Sequence, residues 1–134
     1  ATGAKERIHL DENSIYEPLL PNNTLIELYA HNMKCLGVNV EEQSPVELGG
    51  SSDIGNVSQV TPAIHPSLSI VSPGVDIPGH SHEFALAAKS ELAKIAMIKG
   101  TQALAMCGSD LLGNLEILHA VKEEFQQRAI KKAV

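Results

Sequence analysis

The sequence predicts an α/β fold in which three main helices pack on a few strands. Apolar residues recur with the 3.6-residue period of an amphipathic helix in three segments, near residues 24–36, 90–107 and 115–130. The apolar run over residues 63–71 is typical of a buried strand, and the alternation over residues 5–11 is typical of a short one. Helical and strand patterns therefore occur together in a chain of 134 residues.

Composition and charge exclude several function classes. With 43% hydrophobic residues but only two Phe, two Tyr and no Trp, the chain is expected to form an aliphatic core. Sixteen acidic residues against ten basic ones give a formal net charge of -6, and the scattered basic residues make no patch for nucleic acid. No apolar run approaches the roughly 18 residues of a membrane span, and residues 1–6 have no signal-peptide core, so a cytoplasmic protein is expected.

The N-terminal third contains the most clearly marked helix. Prolines 18 and 21 predict an extended linker, and Asn22-Asn23 then supplies an N-cap. Gly37 stands where a C-cap glycine belongs, and residues 38–40 are a possible edge strand. The predicted inward stripe of this helix consists of Leu25, Leu28, Tyr29, Met33 and Leu36. Cys35 at its end and the distant Cys107 form no CxxC motif, so both are predicted to be free and mostly buried thiols.

The middle of the chain combines a polar loop with the strand candidate. Residues 49–58 are rich in Gly and Ser and are predicted to lead into one helical turn, with Ser51 or Ser52 as its N-cap. Pro66 lies inside the apolar run over residues 63–71, which demotes this strand to an edge or a bulged strand. Residues 72–79 hold two Pro and two Gly and are predicted to be a surface loop.

The C-terminal half is predicted to be helical. A long helix beginning between residues 83 and 90 runs to about Gly108, and Gly100 within it indicates either close packing on a neighbour or a break into two helices. Its predicted inward residues are Leu92, Ile95, Ala96, Ala103, Leu104 and Met106. Asn114 caps a last helix whose predicted stripe is Leu118, Val121, Phe125 and Ile130.

The candidate chemistry lies between residues 49 and 84. His80 and His82 could hold a transition metal from one face of an extended segment, although an HxH pair alone is more typical of an exposed polar loop. Nearby Asp53, His65, Asp76 and Glu83 show no established ligand spacing. The Gly-Gly-Ser-Ser-Asp loop could cradle an anion, but it lacks a P-loop lysine and the dinucleotide fingerprint, and the chain has no GxSxG elbow.

Residues 50–66, GSSDIGNVSQVTPAIHP, resemble a segment of the zinc-dependent amidohydrolases and dipeptidases related to aminobenzoyl-glutamate hydrolase, aminoacylase and carboxypeptidase G. Further similarity lies in Pro21-Asn22-x-Thr24-Leu25, in the helix through residues 32–37, in His80-Ser81 followed by Glu83-Phe84, and in the helix around residues 99–106. The resemblance covers most of the chain. It implies that this is the C-terminal portion of a mixed-sheet metallopeptidase catalytic domain, because members of the family are much longer.

The resemblance also implies roles for particular residues. Residues 1–11 would be the last strand of a lid and dimerisation domain, and residues 12–134 the C-terminal part of the catalytic domain. His80 would bind the metal, expected to be zinc with manganese or cobalt possible, while most other ligands and the general base would come from the missing N-terminal part. The substrate, a small dipeptide or an N-acyl or aminobenzoyl amino acid, would meet the loop residues Ser51, Ser52, Asp53 and Asn56.

The remaining expectations concern one residue without a role, the assembly of the full-length protein, and an alternative class of function. His65 matches the dipeptidase subgroup but receives no role, and a buried structural histidine is the alternative interpretation of this residue. The full-length protein is expected to be a homodimer through its lid domain, with metal-activated water cleaving the amide. In the alternative interpretation, from a different class of function, the chain is a non-catalytic assembly module that has no activity by itself.

Overall fold

A computed structural model describes residues 3–11, 15–41 and 52–132, with side chains described up to residue 128. Within these residues the regular structure is helical and contains no sheet. The helices in chain order are α1 (Asn23–Cys35), α2 (Ile54–Ser58), α3 (His82–Ala87), α4 (Glu91–Gly113) and α5 (Leu115–Lys132). The packing centre is α1, which contacts both α4 and α5, while α4 and α5 also contact each other.

The predicted α/β fold is wrong, because residues 63–71 form no strand. A single parallel bridge joins Pro21 to Ala63, where the Asn22 amide donates to the Ala63 carbonyl at 3.0 Å. Pro66 removes one ladder donor, and no second extended segment among the described residues lies alongside to complete a ladder. The apolar run packs by side chains alone, since Ile64 and Leu68 lie against the helical core.

The two shorter strand predictions are also wrong. Residues 5–11 and residues 38–40 have no strand pairing and are largely exposed. Alternating side chains favour a strand only when a neighbouring strand is present to pair with the backbone, and none is present here among the described residues. The division of the chain into residues 1–11 and 12–134 stays a prediction.

The N-terminus of α1 is held by side chains from its own cap and from α5. Asn22 is buried, and its Oδ1 accepts from the Leu25 amide at 3.0 Å while its Nδ2 donates to the Val121 carbonyl at 3.0 Å. The Glu124 carboxylate accepts from the amides of Asn23 and Thr24, each at 2.8 Å, and from the Thr24 hydroxyl at 2.8 Å. These contacts satisfy helix donors that would otherwise lack partners, and they join α1 to α5.

The core lies where α1 crosses α4. Tyr29 and Met33 from α1 meet Ala103 and Cys107 from α4, and this centre is buried. Half-buried side chains complete it, namely Leu28, Leu36, Val38, Ile64 and Leu68. The predicted stripe of α1 and the C-cap at Gly37, which has a φ of 74°, are confirmed.

The buried face of α4 differs from the predicted one. Its buried positions carry small residues, Ala93, Gly100, Ala103 and Cys107. Of these, Ala103 was predicted to face inward and is confirmed, whereas the predicted inward residues Leu92, Ile95 and Leu104 are exposed. Small side chains let α4 approach α1 closely. Gly100 packs closely on the segment of residues 63–71, since a Cβ there would stand 2.6 Å from Leu68 Cδ1, so close packing and not a helix break explains this glycine.

The ends of the C-terminal helices follow local capping signals. Ser90 begins α4, where its hydroxyl accepts from the Ala93 amide at 3.1 Å, so the predicted long helix is preceded by a separate α3. Asn114 Oδ1 accepts from the Glu116 amide at 2.9 Å, which confirms the predicted cap of α5. Val121 is buried on the predicted α5 stripe. Among the described residues, no helix is both long and apolar enough to span a bilayer.

The two cysteines differ in exposure. Cys107 is buried in the core, as predicted, but Cys35 is exposed, so the prediction of a mostly buried thiol is wrong for Cys35. Cys35 Sγ lies 3.6 Å from His31 Nε2, one helical turn earlier on α1. Both thiols are free.

Candidate functional site

The described part of the candidate substrate loop begins at Ser52, and Ser51 lies outside the described residues. Asp53 is exposed at the N-cap of α2, and its side chain makes no capping hydrogen bond. Ser52 is half-buried, and its hydroxyl accepts from the Ile54 amide at 3.3 Å. The predicted single helical turn is confirmed as α2, while Asp53 takes the N-cap position that was predicted for a serine.

Asn56 is the candidate substrate residue whose contacts are most fully defined. Its Oδ1 accepts from the Glu17 amide at 3.1 Å, and its Nδ2 donates to the Ile15 carbonyl at 3.0 Å. The amide side chain therefore pairs with the backbone of residues 15–17 as a neighbouring strand would. This arrangement holds α2 against the N-terminal linker.

The rest of α2 strengthens the same attachment. Ser58 is fully buried, and its hydroxyl accepts from the Leu20 amide at 2.9 Å while donating to the Gly55 carbonyl at 2.6 Å. The Gln59 side chain donates to the Pro18 carbonyl at 2.7 Å. The Gly-Asn-Val-Ser-Gln part of the motif is thus attached to residues 15–20, an attachment the sequence analysis missed.

Gly55 has a steric reason to be glycine. A Cβ at this position would lie 1.8 Å from the Glu17 carbonyl oxygen and 2.9 Å from the Glu17 carbonyl carbon. Both obstacles are backbone atoms, which cannot move aside by changing a rotamer. An isolated glycine in such a motif indicates that two backbone segments approach each other closely.

His80 has an unusual backbone conformation for a residue with a side chain. Its φ is 60°, which makes it the one non-glycine residue with positive φ among those described. The left-handed conformation costs roughly 1 kcal/mol for such a residue, although His tolerates it better than most. Ser81 follows as the N-cap of α3 and accepts from the Phe84 amide at 3.0 Å, so a sharp turn and a helix start fix the backbone on either side of the imidazole.

The neighbouring histidines are placed differently. His82 is the first residue of α3 and is exposed, which agrees with the expectation that it enters a helix start. His80 and His82 therefore lie in different backbone conformations, and the extended His-Ser-His face does not form. His65 is exposed in the segment that follows Ala63. The alternative interpretation of His65 as a buried structural histidine is wrong, and no role is assigned to this residue.

The described residues do not by themselves make a metal centre. No three His, Cys, Asp or Glu side chains among them form a group that could hold a metal ion. Structural and catalytic zinc sites use three or four protein ligands. His80 is one candidate ligand, so the zinc that the resemblance implies would need further ligands other than the described side chains.

The shifted pKa values in the described structure belong to Tyr29 and Glu124, which lie at packing contacts between helices and not in the candidate site. Burial and, to a smaller extent, the neighbouring Cys107 raise the pKa of Tyr29, which belongs to the core. Burial acts to raise the pKa of Glu124, but hydrogen bonds from Thr24 and Asn23 and the charge of Arg128 outweigh it and hold that pKa below its usual value. Arg128 pairs with Glu124 at 2.9 Å and also donates to the Pro21 carbonyl.

Comparison with known proteins identifies relatives for most of the chain. No family model matches. An Xaa-Arg dipeptidase from Mus musculus is 35% identical over 128 residues, which cover 94% of this chain and 29% of that protein. An Xaa-Arg dipeptidase from Homo sapiens is 34% identical over 113 residues, which cover 83% of this chain and 25% of that protein. The chain thus spans under a third of the length of these curated relatives, and the similarity supports a dipeptidase-type peptidase family for it.

Proposed function

We propose that this chain is the C-terminal segment of a metal-dependent amidohydrolase that cleaves the amide bond of a small dipeptide or N-acyl amino acid. The observation that carries the proposal is the 35% identity to an Xaa-Arg dipeptidase over 94% of the chain. A match of this extent includes both the 50–66 motif and the His80 turn. The reaction belongs to the complete protein, to which these residues contribute one part.

We propose His80 as a ligand of the metal, which we expect to be zinc, with manganese or cobalt as possible substitutes. Two features support this choice over His82. The strained φ of 60° at His80 is held between Gly79 and the Ser81 cap, and residues kept in such conformations cluster at functional positions. His82 instead lies on the first turn of α3 beside Glu83. The remaining ligands and the general base would come from outside these 134 residues.

We propose that Ser51, Ser52 and Asp53 line the substrate end of the cleft. Asp53 supports this role because it is exposed and is not used in capping α2. Asn56 was predicted to face substrate as well, but both ends of its side-chain amide bond the backbone of residues 15–17. Its contribution is therefore to position the loop.

The relatives' names support a choice of substrates to test first. Both relatives are named Xaa-Arg dipeptidases, so dipeptides with a C-terminal Arg are the first substrates to test, ahead of aminobenzoyl-glutamate. We further propose a cytoplasmic homodimer, assembled through the lid domain of the complete protein. No nucleic acid or membrane partner is proposed.

Histidine variants in the complete protein test the metal assignment. We expect His80→Gly to lower metal content per chain and dipeptide turnover severely. With metal removed from both wild type and variant, relief of the positive φ should raise stability by about 1 kcal/mol. His82→Ala is the matched control and should retain metal. Its metal affinity or turnover should fall by at most about 10- to 100-fold, which is typical when a residue that contacts a metal ligand is replaced. The measurements are metal content by mass spectrometry, turnover of Xaa-Arg dipeptides, and thermal unfolding.

The outcomes separate a ligand from a turn residue. A purely structural His80 would change stability without changing metal content. Full metal content in His80→Gly beside an empty His82→Ala would reverse the assignment. A complete protein that cleaves no dipeptide and binds no metal would favour the alternative, a non-catalytic assembly module.

A further inference from the structure

His31 and Cys35 form an exposed pair of side chains in the C-terminal half of α1. Residues four positions apart lie on one face of a helix, one turn above the other. Both residues are exposed, and Cys35 Sγ lies 3.6 Å from His31 Nε2. An imidazole and a thiol therefore meet at the surface, and neither belongs to the helical core or to the candidate site around residues 52–56 and 80.

The separation of these two atoms matches the one that a tetrahedral metal ion imposes on its ligands. Zinc binds a cysteine sulfur at about 2.3 Å and a histidine nitrogen at about 2.0–2.1 Å, and a tetrahedral angle between these bonds puts sulfur and nitrogen about 3.5–3.6 Å apart. The observed separation is 3.6 Å. Imidazole and thiolate also suit zinc and softer ions, whereas magnesium and calcium prefer oxygen ligands. A hydrogen bond between thiol and imidazole gives a similar distance and is the competing explanation.

The position of the pair on α1 favours a cation. Cys35 is the last residue of α1 and His31 lies one turn before it, so the pair stands at the end of the helix where the backbone dipole is negative. Glu27 is exposed four residues before His31 on the same face. Lys34 acts against a cation, because it lines an open cavity together with His31. The helix end and the Glu27 carboxylate offset this charge.

We propose that His31 and Cys35 form a surface site for a borderline or soft divalent ion, with zinc as the first ion to test. The thiol gives up its proton to solvent as the metal–sulfur bond forms, and the imidazole binds through Nε2. No group of three His, Cys, Asp or Glu side chains that could hold a metal occurs among the described residues, so water would fill the other positions. A cavity of about 360 Å³ beside His31 has room for it. The site uses none of the residues proposed for peptide hydrolysis and does not rest on that function.

Alkylation of Cys35 in the complete protein tests this proposal. The protein is treated with iodoacetamide over a series of zinc concentrations, and labelling of each cysteine is followed by peptide mass spectrometry. At free zinc ten times the dissociation constant about one site in eleven is empty, so Cys35 should react about 11-fold more slowly, and EDTA should restore the rate. Magnesium should not slow the reaction, because it does not select a thiolate. Cys107 is buried and reports whether the fold stays closed.

Two histidine variants distinguish a two-ligand site from a thiol that binds zinc alone. His31→Gln removes the nitrogen ligand, so protection of Cys35 should need at least about 10-fold more zinc, the loss that even a residue behind a metal ligand can cause. His119→Gln is the matched control, because His119 is exposed on α5. It should leave the zinc dependence unchanged. Equal zinc dependence in His31→Gln and wild type would overturn the proposal, and so would unprotected wild-type Cys35 at about 1 mM free zinc.

Cobalt supplies an independent measurement. Co²⁺ bound by a thiolate has a charge-transfer band in the near ultraviolet, and this band should appear when cobalt is added to wild type or His119→Gln and be weaker or missing in Cys35→Ser. Identical spectra for wild type and Cys35→Ser would contradict the proposal. Neither measurement requires peptide hydrolysis or a metal at His80, so both remain decisive for a protein that proves to be inactive.

Discussion

Replacing Gly55 by alanine should detach the N-terminal linker from α2. The added Cβ would stand 1.8 Å from the Glu17 carbonyl oxygen, whereas real Cβ atoms essentially never approach closer than 3.0 Å. The two backbones must therefore separate by at least 1.2 Å, the difference between these distances. Because the obstacle is main chain, the movement has to be taken up by the whole segment of residues 15–20.

The cost follows from the bonds that this movement stretches. They are the bonds from the Glu17 amide to Asn56 at 3.1 Å, from the Leu20 amide to Ser58 at 2.9 Å, and from Gln59 to the Pro18 carbonyl at 2.7 Å. Each contributes about 0.5–1.5 kcal/mol, and overpacking adds about 1–3 kcal/mol. We expect Gly55→Ala to lower the free energy of unfolding by about 3 kcal/mol.

Two other glycines provide matched controls for the same substitution. A Cβ at Gly108 of α4 would meet nothing within 4 Å, so Gly108→Ala should stabilise the protein by up to about 1 kcal/mol through helix propensity. A Cβ at Gly100 would press on Leu68 Cδ1 at 2.6 Å, the end of a flexible side chain, so Gly100→Ala should fall between the two. Urea unfolding followed by far-UV circular dichroism measures all three. A Gly55→Ala protein as stable as Gly108→Ala would refute the backbone contact.

Three further predictions concern the helix contacts and the activity. Glu124→Gln should cost about 1–3 kcal/mol. The stability tied to the lowered pKa of Glu124 should be present at pH values above its unfolded pKa and be lost as the pH falls through the lower folded pKa; acid unfolding of wild type and variant measures both. Asn32→Leu should cost about 1–3 kcal/mol in urea unfolding, because the Asp110 carboxylate and α1 lose their bond at 2.8 Å, and an unchanged midpoint would contradict this. The purified 134-residue chain should not cleave any dipeptide that the complete protein cleaves, and measurable turnover by it would contradict the proposal that the base and other ligands lie elsewhere.

The helices could be predicted from the sequence because their signals are local. Asn22, Ser90 and Asn114 each accept from an amide within the next three residues, and a capping residue followed by a periodic stripe is visible without knowing any distant contact. The strands could not be predicted in the same way. Residues 63–71 have the composition of a buried strand, but strand formation depends on partners far along the chain, and one bridge to Pro21 is what the described residues provide.

The buried face of α4 was mispredicted for a different reason. Hydrophobicity alone favours Leu92, Ile95 and Leu104 as inward residues, yet close helix packing selects the small residues Ala103 and Gly100. The large apolar residues are left on other faces of the helix. A pattern that is apolar on more than one side of a helix cannot by itself say which side meets which neighbour.

The candidate site was only partly predictable, because some of its residues make long-range contacts within the fold. Asn56 and Ser58 form hydrogen bonds with the backbone of residues 15–20, at sequence separations of 39, 41 and 38 residues. No local sequence pattern predicts contacts between residues so far apart. Asp53 stands one turn earlier in the same motif and makes no capping bond. Loss of activity in an Asn56→Ala protein would therefore have two explanations: the loop is displaced, or a contact with substrate is lost. The two are separable because Asn56→Ala should lower stability together with turnover, whereas Asp53→Asn should change substrate affinity with the unfolding midpoint unchanged.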